Sequence, residues 1–210
     1  MKKTDCIQLY KKYYLDNDNE NIGQFEILAK TFNVKSALYP GSFIHIAPSL
    51  VFPKVTYIDT DKRAKVCFSD PLVGDYVRKH KQYTEDSSII FLSKDYRKDG
   101  LDISEKFDAL ISLYAGFISR YCTRYLKVNG LLLSNNSHGD AGLVAIDKRY
   151  NLIGVINRRN RNYSFSDLNL DSYFIPKKNV NVTIEYLLSL GRGIGYTKSA
   201  TSYLFKKVAD

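Results

Sequence analysis

Residues 134–142 read "SNNSHGDAG", and they crowd Asn135, Asn136, Ser137, His138 and Asp140 into six positions directly after the run "GLLLS". Histidine titrates near neutrality, so His138 is suited to take a proton from a reacting hydroxyl or amine. Asp140 would either orient that ring or cap a following helix, with Ser137 as the other candidate cap. The alternative is a solvated loop in which His138 has no chemical role. Two further stretches could meet a ligand. "ALYPGSFIHIAPS" (37–49) is a turn with Gly41 and Ser42 at its tip, and "KVTYIDTD" (54–61) is an apolar run ending in the carboxylate of Asp59. A carboxylate there can accept from two neighbouring donors at once. His80, in "VRKHKQY", sits on a basic helix end and reads as solvated.

The order of elements places these stretches. Helical patterns at 5–15 and 21–32 are separated by the polar "DNDNEN" and make up an N-terminal helical part, 1–33. A strand at about 36–39 stops at "PG", and a short helix falls within 44–51. "KVTYID" is a buried strand. A helix capped by Thr60 or Asp61 follows, then another with Asp70 as cap and Pro71 at the first helical position, where its missing N–H costs nothing. "SSIIFL" and "FDALISLYA" are strands, "FISRYCTRYLK" a helix closed by "NG", "GLLLSN" a strand, and "DAGLVAIDKRY" a helix. Near the end come a strand "NLIGVINR", an extended piece "DSYFIPKK", a helix "VTIEYLLSL", and a strand "TSYLFKKV". Short apolar strands alternating with helices predict an α/β fold: a doubly wound, mostly parallel, Rossmann-like sheet. The expectation is one domain over 1–210, with an insertion at 158–182 that would serve as a lid.

Composition supports a globular protein: 210 residues, 44% hydrophobic, 25% charged. No apolar run approaches the length that spans a bilayer, so no membrane partner is expected. The N-terminus starts basic without an apolar core, unlike a signal peptide. Cys6, Cys67 and Cys122 are odd in number and far apart, with no CxxC. That predicts reduced thiols, a cytoplasmic protein and no metal site. The net charge is +9, and residues 151–210 hold nine Lys or Arg against four Asp or Glu. An anionic partner would therefore meet the C-terminal part. Arg158, Arg159 and Arg161, with Tyr163 and Phe165, suit phosphate contact and base stacking, although an ordinary basic loop has the same composition. "GRGIGYTKSA" (191–200) has glycines and a lysine but lacks the strand–loop–helix order of a phosphate loop, so a helix C-cap and turn explain it better.

Element order, together with "ALYPGS", "VTYIDTD", "FDALISLYAG" and "YLKVNGLLLSNNS", resembles the class I S-adenosylmethionine-dependent methyltransferases over roughly 34–156 and 183–208. The resemblance implies a last strand inserted antiparallel between two others, S-adenosylmethionine as cofactor, and methyl transfer to an acceptor the sequence does not name. It puts Tyr39, Gly41, Ser42 and His45 around the methionine part of the cofactor, with Ser42 or His45 on its carboxylate. It puts Asp59 on the ribose hydroxyls, Asp95 near the adenine amino group, Tyr96 on the ring, and Ser112 at the cofactor from the fourth strand. His138, Asp140 and Tyr114 would be catalytic. Where the family's loop has further glycines, Phe43 and His45 stand; Tyr39 and Pro40 replace its acidic residue. Tyr114 lies where amino-methylating relatives carry an Asn/Asp-Pro-Pro-aromatic motif, which is absent, so ordinary DNA amino-methylation is not expected. The reading from another class is a catalytically silent Rossmann-like binding module that contacts nucleic acid through its basic C-terminal part.

Overall fold

A computed structural model describes residues 5–210; the first four residues of the basic N-terminus lie outside them. The chain divides into two compact units, Met1–Leu101 and Asp102–Asp210.

The first unit begins with α1 (Cys6–Tyr10), capped by Asp5, which accepts from the Gln8 N–H at 3.0 Å. It runs on as one π-helical turn, Lys11–Leu15. Then come α2 (Ile22–Phe32), β1 (Ser36–Pro40), α3 (Pro48–Val51), β2 (Lys54–Ile58), α4 (Lys62–Phe68), α5 (Pro71–His80) and β3 (Ser88–Leu92). The three strands are parallel in the order β3-β2-β1, with Pro40 opposite Ile58 and Ile58 opposite Leu92. β1 and β2 are buried along almost their whole length, as parallel strands covered on both faces must be, whereas β3 is half-exposed. Asp61 caps α4 by accepting from Arg63 N, and Asp70 caps α5 by accepting from Leu72 N, with Pro71 in the first turn. Both caps are the ones the sequence chemistry favours.

The second unit holds β4 (Phe107–Ser112), α6 (Ile118–Cys122) with a 3-10 turn Thr123–Tyr125, β5 (Leu126–Ser134), α7 (Asp140–Ala145), β6 (Tyr150–Arg159), β7 (Asn162–Ser166), α8 (Ile184–Leu190) and β8 (Ser202–Lys207). The strand order is β4-β5-β8-β6-β7. β4 and β5 are parallel, and the last strand lies antiparallel between β5 and β6, as expected. Leu204 and Phe205, neighbours on β8 and so on opposite faces, are both buried. Lys207 is buried beside them and is satisfied by the carbonyls of Thr123 (3.2 Å) and Leu126 (2.9 Å) and the carboxylate of Asp210 (2.5 Å).

Three expectations need correcting. "NG" does not close a helix: Asn129, with φ of 68°, and Gly130 lie inside β5, where the pairing with β4 slips. Residues 158–166 of the expected 158–182 insertion belong to the sheet, because β6 continues to Arg159 and returns through Asn160 and Arg161, both at positive φ, into β7. Nor are all three cysteines reduced. Cys6 and Cys67 form a disulfide joining α1 to α4, which removes the thiol argument for a cytoplasmic protein. Cys122 is free and buried, and burial pushes its thiol up to about 12. Among the described residues no helix is long and apolar enough to cross a membrane.

These states set an alkylation pattern. Iodoacetamide without reductant should leave the native protein unmodified and add one group, on Cys122, in denaturant; reduction should raise the count to three. Mass spectrometry showing three additions to the unreduced denatured chain would refute the Cys6–Cys67 bond.

Candidate functional site

In the first unit the turn after β1 is held by Asp59, the residue directly after β2. Its Oδ2 accepts from the Phe43 N–H at 2.7 Å, and its Oδ1 accepts from the Asp61 N–H at 2.8 Å. Gly41, with φ of 67°, donates its N–H to Ile58 O at 2.7 Å. Phe43 adopts φ of 48°, the left-handed backbone usually left to glycine. The loop therefore keeps a glycine-like path with a phenylalanine in it. The Phe43 ring packs edge-on against Tyr13 at 5.2 Å, with the Arg63 guanidinium 4.6 Å from its centroid. Asp59 remains half-exposed, and a carboxylate has about four acceptor sites, so the two loop amides leave capacity for further donors.

His45 and Ser42 do not fit the role of binding a carboxylate. Both are buried. The Nε2–H of His45 donates to Glu20 O at 2.7 Å, its Nδ1 accepts from the Tyr39 hydroxyl at 3.1 Å, and its ring stacks on Tyr14 at 4.4 Å. Burial pushes its pKa down to about 4, so it is neutral at pH 7. It is a core histidine that also occupies the Tyr39 hydroxyl. Ser42 turns its hydroxyl to Phe43 O at 3.4 Å.

Asp95 and Thr60 line a cleft of about 400 Å³ together with Ser93, Lys94 and Leu101. The Asp95 carboxylate is held by Arg97, whose Nη2 lies at 2.8 Å; this hydrogen bond keeps its pKa at about 2. Tyr96 is half-buried next to it.

In the second unit the polar run separates into two groups. Asp140 is 1% exposed and accepts from the hydroxyls of Ser112 and Ser119, each at 2.5 Å, and from the Ser119 N–H at 3.1 Å. Burial raises its pKa, and these donors oppose the rise. The expectation that Asp140 orients His138 is corrected: its oxygens tie the end of β4 to the starts of α6 and α7. Ser112 is likewise buried and spent on Asp140. Asn135, Ser137 and His138 form the second group. The Ser137 hydroxyl donates to Asn135 Oδ1 at 2.7 Å and lies 3.0 Å from His138 Nδ1. Because the serine proton goes to Asn135, its oxygen must accept from His138 Nδ1–H. That tautomer leaves the lone pair on Nε2, as a general base requires. His138 is exposed. Tyr114 is 63% exposed with φ of 55°, a strained backbone for a bulky residue.

At the tip of the β6–β7 hairpin, Arg159 and Arg161 are exposed and Arg158 lies 5.6 Å from the Tyr163 ring. Phe165 is not free to stack on a base, because its ring lies where a Cβ on Gly154 would be.

The chain is similar in structure to a protein from Klebsiella pneumoniae assigned as an O-methyltransferase, with a TM-score of 0.53 and 10% identity over 77% of this chain and 87% of that one. It is similar also to the O-methyltransferase from Bacillus cereus in complex with SAH, with a TM-score of 0.50 and 9% identity over 79% of this chain and 90% of that one. No protein-family profile and no curated protein sequence matches the chain. The fold is thus a Rossmann-like α/β fold, shared with these two structures.

The buried, neutral His45 carries a pH signature. Its folded pKa lies below the unfolded value of about 6.5, so its stabilising effect is complete above pH 6.5 and is lost as pH falls towards 4. Urea melts between pH 6.5 and 4 should show a loss from this group approaching about 1.4 kcal/mol per unit. The corresponding part of the slope should vanish in His45→Gln; an unchanged slope would show that His45 is not held neutral.

Proposed function

We propose that the protein binds S-adenosylmethionine through its first unit and that His138 deprotonates the methyl acceptor. The observation that carries this is the half-exposed Asp59 carboxylate at the end of β2, fixed by the Phe43 and Asp61 amides with acceptor capacity left over. It would accept from the ribose hydroxyls, and the cleft lined by Thr60 and Asp95 beyond it would take the adenine. The cofactor supplies a methyl group on a positively charged sulfur. His138 Nε2 takes the proton that an oxygen or nitrogen acceptor loses as it gains that methyl, and Nδ1–H on Ser137 supports the imidazolium that results. The exposed, strained Tyr114 would shape the acceptor's approach. Arg159 and Arg161 offer an outlying contact for an anionic acceptor, nucleic acid included.

Two substitutions separate binding from chemistry. Asp59→Ala should weaken S-adenosylhomocysteine by about 1.5–3 kcal/mol, the range for hydrogen bonds to a charged group; unchanged affinity by calorimetry would reject the ribose role. His138→Ala should leave that affinity intact and lower turnover by about 10²–10⁴. Full turnover in the variant would return His138 to the solvent, and binding without any turnover in the parent would describe a silent module.

A further inference from the structure

The second unit contains a cleft of about 310 Å³ between the segment Pro176–Val180 and the turn Arg192–Gly195. Its inner wall is half-buried and apolar, built from Pro176, Val180, Leu190 and Ile194 with the ring of Tyr186. Lys177, Lys178 and Arg192 stand exposed at its rim, and no Asp or Glu lines it. Three cations beside an aromatic and aliphatic wall match a ligand with a flat ring and a phosphate. The volume lies at the small end of ligand pockets, which suits a single nucleotide.

The cleft is attached to the loop that carries His138. Asn136 Nδ2 donates to Ile194 O at 2.9 Å, and the Gly193 N–H points to Ser137 O at 3.5 Å. The approach is so close that a methyl group on Gly193 would overlap Asn136 O. Glycine at 193 is therefore a packing requirement, and the "GRGIG" turn, besides ending α8 at Gly191, forms both a wall of the cleft and the support of the Asn136–Ser137 backbone. The cleft and the loop that carries the histidine thus share the Gly193–Ile194 backbone as a common wall.

We propose that this cleft binds a nucleotide, its phosphate on Lys177, Lys178 and Arg192 and its base against Tyr186, and so anchors the methyl acceptor. The acceptor role rests on the methyltransferase reading; the nucleotide site does not.

Calorimetry on the full chain with uridine 5′-monophosphate, inorganic phosphate and a 5′-phosphorylated hexauridylate tests it. The monophosphate should bind saturably. The variant Lys177→Ala/Lys178→Ala/Arg192→Ala should weaken it by about 10- to 100-fold, the loss of one or two charge-assisted contacts. Tyr186→Leu should weaken uridine monophosphate while leaving inorganic phosphate unchanged. All three cations are exposed, and a melting curve checks that the variant folds. Hexauridylate binding tighter than the monophosphate, with a steeper salt dependence, assigns the site to a polynucleotide; equal affinities assign it to a free nucleotide. No saturable binding, or binding undiminished in the triple variant, overturns the proposal. S-adenosylhomocysteine titrated into the same samples keeps the two readings apart. Normal binding of that ligand without nucleotide binding defeats only the cleft. Nucleotide binding without that ligand defeats the methyltransferase reading and the acceptor role.

Discussion

The Asp59 carboxylate, gripping the amides of Phe43 and Asp61, is the constraint on which the first unit turns. A non-glycine residue in left-handed backbone costs roughly 1–2 kcal/mol. A charge-assisted bond of about 1.5–3 kcal/mol can offset that cost. Because Phe43 is held so, its ring faces Tyr13 and Arg63. Arg63 pairs with Asp61, the cap of α4, and Cys67 of α4 is bonded to Cys6 of α1. One carboxylate thus connects the strand end, the loop and the helices that pack on it.

A buried carboxyl group does comparable work in the second unit. Asp140 satisfies its acceptors with two serine hydroxyls and a backbone amide, which fixes where β4 ends and α6 begins. The loop before it is then positioned by its own relay from Asn135 through Ser137 to His138, and by the Arg192–Ile194 turn packed against it. The exposed His138 stands on a loop whose neighbours are each hydrogen-bonded.

Much of this was legible because it is local. Asp61, Asp70 and Pro71 announce helix starts by side-chain chemistry alone, and four- to six-residue apolar runs announce buried strands. The inserted last strand followed from the resemblance in element order. What escaped depends on partners distant in sequence. Nothing near His45 shows that Tyr14, Glu20 and Tyr39 will enclose it, so it reads as a loop ligand. Cys6 and Cys67 stand 61 residues apart and share no motif. "NG" reads as a helix stop, because a slip in strand register has no sequence signature of its own. The turn Asn160–Arg161 lacks the glycine that usually marks a tight hairpin, so β7 passes for a basic loop. Asp140 was visible as a helix-start residue, but its burial was not.

The central claim is that the Asp59-held loop and the cleft beyond it form an adenosyl site. Thermal or chemical melting of the intact protein with S-adenosylhomocysteine, NAD and ATP in turn tests it most directly. At 100 times its dissociation constant, a ligand that binds only the folded state adds roughly 2.7 kcal/mol. The account predicts that gain for S-adenosylhomocysteine and none of comparable size for NAD or ATP. A stability unmoved by S-adenosylhomocysteine, or raised by NAD in its place, would contradict it.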